Sequence, residues 1–124
     1  MGKMIKVTCT SCKGEWECMT GCGISHALLQ DVVREFPQEI GDKIRKENGE
    51  EFPIFDFGYQ LSVCGDCRNA VSVPVLRFDE KDVEYMGPCP VCRGKAALVT
   101  DLEDAVCPVC GKKTLTAEET GSWD

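Results

Sequence analysis

The chain has 124 residues, of which 21 are acidic and 14 are basic, and its formal net charge is −7. This length suits one ordinary domain or two very small ones. An acidic chain without a basic stripe disfavours binding to a phosphate backbone, and no stretch reaches the roughly 20 apolar residues that a membrane span needs.

The first predicted elements are two short strands that flank a pair of cysteines. Residues 3–8 and 15–20 have strand character, and Trp16, Cys18 and Thr20 fall on one face of the second strand because side chains alternate along a strand. A turn at 20–23 follows. This pattern predicts one short strand on each side of the first cysteine pair.

The next stretch is helical. Apolar residues at helical spacing predict a helix over 25–36 with Ser25 as its N-cap. A proline at the first position then opens a second short helix over 37–47, in which Ile40 and Ile44 are the expected buried pair. These two helices form an insertion of about 24–47.

The rest of the chain again has strand character. We expect a strand at 59–63 and another at 70–78, where Pro74 indicates an edge or bulged strand because it lacks a backbone N–H. Residues 79–82 form a charged hinge. Two further short strands are predicted at 97–100 and 113–116.

Four Cys-x-x-Cys pairs carry the chemistry of this sequence. Two cysteines three apart in a tight turn place both sulfurs on one side of the backbone. Two such turns that face each other form a tetrahedral cage of four sulfurs, which suits zinc. The predicted ligands of two zinc ions per chain are Cys9, Cys12, Cys64, Cys67, Cys89, Cys92, Cys107 and Cys110.

Spacing predicts which pairs share a metal. The last two pairs read C-x2-C-x14-C-x2-C, which is typical of a zinc ribbon, and the first two pairs then form the other site across 51 residues. The predicted fold is therefore small α+β, with zinc-ribbon (rubredoxin-like) knuckles, short antiparallel strands and a helical insertion. The predicted domains are a first ribbon over 1–78 and a compact ribbon over 84–119.

Three other uses of cysteine pairs fit this sequence less well than zinc. A disulfide framework needs an oxidising compartment, and the sequence starts without a signal-peptide pattern, so we expect a cytoplasmic protein with reduced thiols. A rubredoxin-like iron site usually has aromatic neighbours, whereas Val91, Ala96 and Val109 are the neighbours here. A thioredoxin-type pair needs a βαβ setting, which the pattern lacks.

Cys18, Cys22 and His26 have a spacing of four and four, which one continuous helix would place on one face. Gly21 and Gly23 disfavour a helix there. We therefore interpret Cys18 as a core residue, Cys22 as part of a turn and His26 as the start of a helix. With a single histidine and no nucleophile or phosphate-binding motif, the chain is not predicted to be an enzyme.

The order of motifs resembles a group of small bacterial multi-zinc-ribbon proteins without an assigned activity. The resemblance rests on an early Cys-x-x-Cys, then "TGCGISHALLQDVV", "VCGDC", a close CPxC pair and a final "GSWD". In that group the first knuckle is often followed by G-x-G before a helix. The resemblance implies bound zinc and a ribbon fold, and it implies that Cys22 is not a required ligand.

A second, partial resemblance is to the cysteine-rich module of J-domain co-chaperones, which repeats C-x-x-C-x-G-x-G and binds two zinc ions. The segments "CTSCKGEW" and "CPVCRGKA" keep the first glycine of that repeat and lack the second. The other two Cys-x-x-Cys pairs are not followed by the x-G of that repeat, and the J-domain signature is absent.

The sequence thus predicts a protein with two structural zinc sites. Four sulfurs fill each site and leave no open position for a substrate. The expected role is a protein–protein interaction or regulatory module whose partner is another protein. The alternatives are a redox or metal-responsive switch and a rubredoxin-like iron electron carrier. Trp123 is a candidate for an exposed patch or for packing against the domain.

Overall fold

The computed structural model describes residues 2–22, 29–47, 55–78 and 82–123. Its strands form two antiparallel sheets, and its helices are few and short, as the α+β prediction required. One sheet has the order β2-β1-β7 and the other β5-β4-β3-β6. The strands are β1 Gly2–Cys9, β2 Glu15–Thr20, β3 Asp56–Cys64, β4 Asn69–Phe78, β5 Val83–Met86, β6 Ala97–Leu98 and β7 Leu115–Trp123; the helices are α1 Leu29–Val33, α2 Gln38–Glu47 and a 3-10 turn, Leu102–Asp104.

The first sheet joins the two ends of the chain. β1 and β2, the two strands predicted beside the first cysteine pair, form a hairpin in which Val7 lies opposite Trp16. On its other side β1 pairs with β7, so that Cys9 lies opposite Leu115 and Gly2 opposite Trp123. The predicted strand at 113–116 is in fact much longer. Its extension is not visible in the sequence because most of β7 is exposed and shows no apolar alternation.

The second sheet is built on a hairpin of β3 and β4, in which Cys64 lies opposite Asn69. β4 has neighbours on both sides, so the prediction of an edge strand is wrong. Pro74 is tolerated for a local reason. Tyr59, opposite Pro74, exchanges both of its backbone hydrogen bonds with Gly21, at 3.0 and 2.7 Å, and β5 pairs only with residues 75–78. The missing N–H of Pro74 therefore takes no bond away from Tyr59, and on the other side the Pro74 carbonyl still accepts from the Gly87 N–H at 2.9 Å.

The helices cover one end of the second sheet. The second helix is confirmed over Gln38–Glu47, where Ile44 is fully buried and Ile40 is partly buried. α1 ends at Val33, earlier than the predicted residue 36, which agrees with the restriction that a proline places on the residue before it. The proposed cap Ser25 lies outside the described residues. In the described ranges no helix is long and apolar enough to cross a membrane.

Side chains from both sheets pack together. Val7, Leu61, Ala70 and Leu115 belong to one buried cluster, which joins β1, β3, β4 and β7. Trp123 packs against the protein instead of forming a patch: its indole N–H donates to the Thr20 carbonyl at 3.2 Å, and its ring lies 5.8 Å from that of Tyr59. The sheet containing β1 and β7 spans both predicted domains, and so does the sheet containing β4 and β5.

Candidate metal centres

The structure gathers eight cysteines into two groups that can each hold a metal ion. In each group the four sulfurs lie within 4.8 Å of one another. We call the first the outer cluster, because its ligands come from near both ends of the chain, and the second the inner cluster. The outer cluster is Cys9, Cys12, Cys107 and Cys110, and the inner cluster is Cys64, Cys67, Cys89 and Cys92.

These are the eight cysteines singled out from the sequence, but their predicted pairing is wrong. The first knuckle faces the fourth, and the second faces the third. The reason is sheet topology. β1 runs into the first knuckle and β7 leaves the fourth, and these two strands pair with each other. The third knuckle lies between β5 and β6, which pair with β4 and β3 and so place it beside the second knuckle at the hairpin tip.

The distances between sulfurs fit a metal cage. In the outer cluster Sγ of Cys9 lies 3.6 Å from Sγ of Cys110, and in the inner cluster Sγ of Cys64 lies 3.5 Å from Sγ of Cys92. Zinc bound tetrahedrally at about 2.3 Å places its sulfurs about 3.8 Å apart. A disulfide needs about 2.05 Å. All ten cysteines lie within the described residues and are free, which contradicts a disulfide framework.

The knuckles repeat one turn. In the first, the Cys9 N–H donates to the Gly14 carbonyl at 2.9 Å and the Lys13 N–H donates to the Cys9 carbonyl at 3.0 Å. The third and fourth knuckles make the same two bonds at the same spacing, starting from Cys89 and Cys107. This turn directs backbone N–H groups at sulfur, since Cys12 N lies 3.4 Å from Sγ of Cys9. Such donors stabilise the thiolate form that a metal requires.

The residue after the second cysteine adopts a left-handed backbone conformation in every knuckle. The φ angles are 66° at Lys13, 57° at Arg68, 62° at Arg93 and 75° at Gly111. This conformation reverses the chain after the metal-binding turn, and glycine adopts it most readily. Three of the four positions instead carry an exposed cation.

Two thiols have a pKa well below the ordinary value of 9.0. The backbone N–H of Cys12, together with the Thr114 hydroxyl 3.0 Å away, lowers the pKa of Cys9 to about 6. The backbone N–H of Cys67 lowers the pKa of Cys64 to about 7. Each cluster therefore holds one thiolate that hydrogen bonds already stabilise near neutral pH.

Other thiols of the same clusters shift in the opposite direction. Although the Gly14 N–H acts to lower it, burial and the neighbouring sulfurs raise the pKa of Cys12 to about 11. The pKa of Cys92 rises to about 12; the Gly94 N–H again opposes the rise, and the adjacent sulfur of Cys64 is its main cause. Four sulfurs so close together cannot all be ionised without a cation among them, and a bound metal supplies that cation.

The two clusters differ in their access to solvent. Cys92 is exposed, whereas the equivalent Cys110 of the outer cluster is half-buried. Val91 and Val109, at the tips of the two CPVC knuckles, are 63% and 50% exposed, so neither covers its metal site. Ala96 is buried and packs in the same cluster as Cys64 and Cys89.

Of the remaining candidate ligands, the two that lie in the described part of the chain do not join these groups. Cys18 is buried, its thiol lies 3.6 Å from the Ala70 carbonyl, and burial raises its pKa. This confirms its interpretation as a core residue. Cys22 is half-buried and belongs to neither cluster, and His26 lies outside the described residues.

Two residues that contact sulfur were not identified from the sequence. The Thr114 hydroxyl lies beside Cys9, and the Asn69 side chain donates to Sγ of Cys67 at 3.4 Å. Each follows a knuckle within a few residues, and each is a short polar side chain at the start of or just before a strand. A short polar residue two to four positions after the second cysteine of a knuckle is the signal that could have identified them.

No protein-family model, curated protein or solved structure matches this chain. The resemblance to bacterial multi-zinc-ribbon proteins therefore stays a prediction.

Proposed function

We propose that the protein binds two zinc ions, one in each cluster, and that both ions are structural. The observation that carries this proposal is the pair of four-sulfur groups with sulfurs 3.5–3.6 Å apart across facing knuckles. Tetrahedral thiolate coordination is the usual arrangement of structural zinc. Because four sulfurs fill the coordination shell, this arrangement argues against catalysis at the metal.

The packing of the protein supports a structural role. Cys9 and Cys107 belong to one buried cluster and Cys64 and Cys89 to another, so the ligands are themselves part of the core. Structural zinc contributes about 10–16 kcal/mol of apparent binding free energy. The net folding free energy of a whole domain is only about 5–15 kcal/mol. Metal binding on this scale decides whether such short strands fold.

We further propose that the folded protein is a module that binds another protein. In the described ranges, the large hydrophobic side chains that remain exposed are Val91, Val106 and Val109, all in or beside the CPVC knuckles. Val106 also lines an apolar pocket of about 220 Å³ with Val63 and Leu98. Exposed apolar side chains on a rigid turn beside a pocket are typical of interaction sites. The net charge of −7 disfavours a nucleic acid as the partner.

Metal analysis of natively purified protein tests the first proposal. We expect two equivalents of zinc per chain and a colourless protein. Replacement by cobalt should give the visible absorption of tetrahedral thiolate coordination. Cys92→Ala should lower the metal content to one, whereas Cys22→Ala, a cysteine outside both clusters, should leave it at two. Less than one equivalent of zinc, or a coloured iron protein, would contradict the proposal.

One observation favours a second candidate function, a redox-responsive switch. Cys92 is exposed and its sulfur lies 3.5 Å from Sγ of Cys64. Hydrogen peroxide would oxidise these two thiolates to a disulfide, release the inner zinc ion as Zn²⁺, and be reduced to two water molecules with uptake of two protons.

A further inference from the structure

A hydrogen-bonded bridge connects the hairpin of the outer cluster to a ligand of the inner cluster. The indole N–H of Trp16 donates to Oδ1 of Asn69 at 3.2 Å. The amide nitrogen of the same Asn69 donates to Sγ of Cys67 at 3.4 Å and to the Cys67 carbonyl at 3.3 Å. One side chain thus contacts a tryptophan of the first sheet and a sulfur of the inner cluster.

The chemistry of the three groups fixes this arrangement. An indole N–H can only donate, and a metal-bound thiolate can only accept. A primary amide offers one acceptor and two donors, so Asn69 satisfies both partners in a single orientation. An aspartate at this position would lose the donor and repel the thiolate, and an aliphatic side chain would lose both bonds.

Trp16 also packs beside the outer cluster. It lies opposite Val7 in the hairpin and packs against the buried group that contains Cys9 and Cys107. The indole also lies against Gly14, the last residue of the first knuckle: a Cβ on Gly14 would be 2.7 Å from Cη2 of Trp16. The position of the indole and the position of the first knuckle therefore depend on each other.

We propose that Trp16 and Asn69 couple the metal occupancy of the two clusters, a role that rests on the proposed metal binding. Metal in the inner cluster would fix the position of Cys67, whose sulfur and carbonyl hold the Asn69 amide. Asn69 in turn holds the indole of Trp16 against the first knuckle. A metal in one cluster thereby raises the affinity of the other, and the effect is reciprocal. Trp16 and Asn69 are positioning residues and not ligands.

Native mass spectrometry during zinc titration of the reduced, metal-free full chain tests this coupling. Two equal and independent sites would give about half of the molecules with one metal at half-saturation, and positive coupling lowers that share. We expect the one-metal form to stay well below half in the wild type. Trp16→Phe, which keeps an aromatic ring and removes the N–H, and Asn69→Leu should each raise it toward half, by up to about twofold for a coupling of five- to tenfold.

Ser72→Ala is the matched control. It removes a bond of 2.7 Å from the Met19 N–H to the Ser72 hydroxyl, at the same junction between β2 and β4 but away from both clusters. We expect Ser72→Ala to lower stability without raising the one-metal form. If it raises that form as much as Trp16→Phe does, the coupling arises from folding of the whole chain, and the proposed bridge is wrong.

A second measurement does not depend on the Asn69 variant. In Cys89→Ala/Cys92→Ala the inner cluster is disabled while Cys67 and Asn69 remain. Cobalt affinity of the outer cluster should fall about five- to tenfold in this variant, but by much less when Trp16→Phe is already present. Equal losses in both backgrounds would overturn the coupling. A chain that binds no metal would overturn the proposed function itself.

Discussion

The outer and inner clusters use the same knuckle but close very different lengths of chain. Facing sulfurs of the outer cluster are 101 and 95 residues apart in sequence, whereas those of the inner cluster are 28 and 22 apart. The inner knuckles meet across one hairpin and its neighbouring strands. The outer knuckles meet only when the two ends of the chain pair as β1 and β7.

This difference changes the order of assembly more than the strength of binding. Each doubling of a flexible loop adds only about 0.6 kcal/mol of closure entropy, so two doublings add about 1.2 kcal/mol. That is small beside the roughly 10–16 kcal/mol of a structural zinc site. Local contacts form faster than distant ones. The inner cluster is therefore expected to form first, and the outer cluster then fixes the chain ends.

The largest expected effect is the loss of the inner cluster. Cys89→Ala should lower the free energy of unfolding by several kcal/mol and reduce amide protection in both sheets, because the outer cluster then closes on strands that no inner metal orders. Cys107→Ala should lose protection mainly in β1 and β7 while the β3–β4 hairpin stays protected. Hydrogen exchange with mass spectrometry checks this. Equal loss across both sheets in Cys107→Ala would show that the clusters assemble as one unit.

The next largest expected effect is a difference between the two clusters in the pH at which acid releases their metal. The folded pKa values of Cys9 and Cys64, about 6 and about 7, lie below the unfolded value of 9.0. Their contribution to stability is therefore present above pH 9 and is lost as the pH falls through those values. Metal binding lowers both midpoints, because a bound thiolate resists protonation.

We expect the inner cluster to release zinc at a higher pH than the outer cluster. A chromogenic zinc indicator measures both midpoints. Cys107→Ala, which retains only the inner cluster, and Cys89→Ala, which retains only the outer one, assign each midpoint. Release from the outer cluster at the higher pH would contradict this order.

Oxidation should distinguish the clusters by solvent access. Because Cys92 is exposed and Cys110 is half-buried, dilute hydrogen peroxide should remove the inner zinc severalfold faster than the outer one. Peptide mapping should then find a disulfide between Cys64 and Cys92. Zinc loss at equal rates, or a first disulfide within the outer cluster, would argue against the redox-responsive function.

The smallest expected effects are at the knuckle tips. Val91→Ser and Val109→Ser should each change the free energy of unfolding by no more than about 0.5 kcal/mol, because both side chains are already exposed. Val73→Ser, at a fully buried position of β4, is the control and should cost about 2 kcal/mol or more. Thermal unfolding measures all three. A large loss at Val91 would mean that the tip serves packing and not partner binding.

The sequence was sufficient for features that depend on neighbouring residues. Strand 15–20 and the helix that follows Pro37 are confirmed, and so is the burial of Cys18. The eight cysteines of the clusters were found because a Cys-x-x-Cys turn is local. Which knuckles face each other was not predicted correctly, because that depends on which strands lie side by side. The x14 spacing between Cys92 and Cys107 resembled a ribbon and concealed the pairing of β1 with β7.

β5 and most of β7 were missed for another reason. A strand that is short or largely exposed needs no alternating apolar residues, so the sequence has little to show. The bridge from Trp16 through Asn69 to Cys67 was equally invisible. It joins residues 53 apart in sequence, and nothing in a tryptophan or an asparagine alone indicates the other.

The left-handed residues after the knuckles have a consequence for the charge of this acidic protein. Lys13, Arg68 and Arg93 hold a conformation that costs a non-glycine residue about 1 kcal/mol or more, and Gly111 shows that the same turn forms without a side chain. A zinc ion with four thiolates is a dianion. In the proposed zinc-bound state, the cation that follows the second cysteine of a knuckle would be a counter-ion that is covalently part of the chain, one residue from a metal ligand, and that cannot diffuse away.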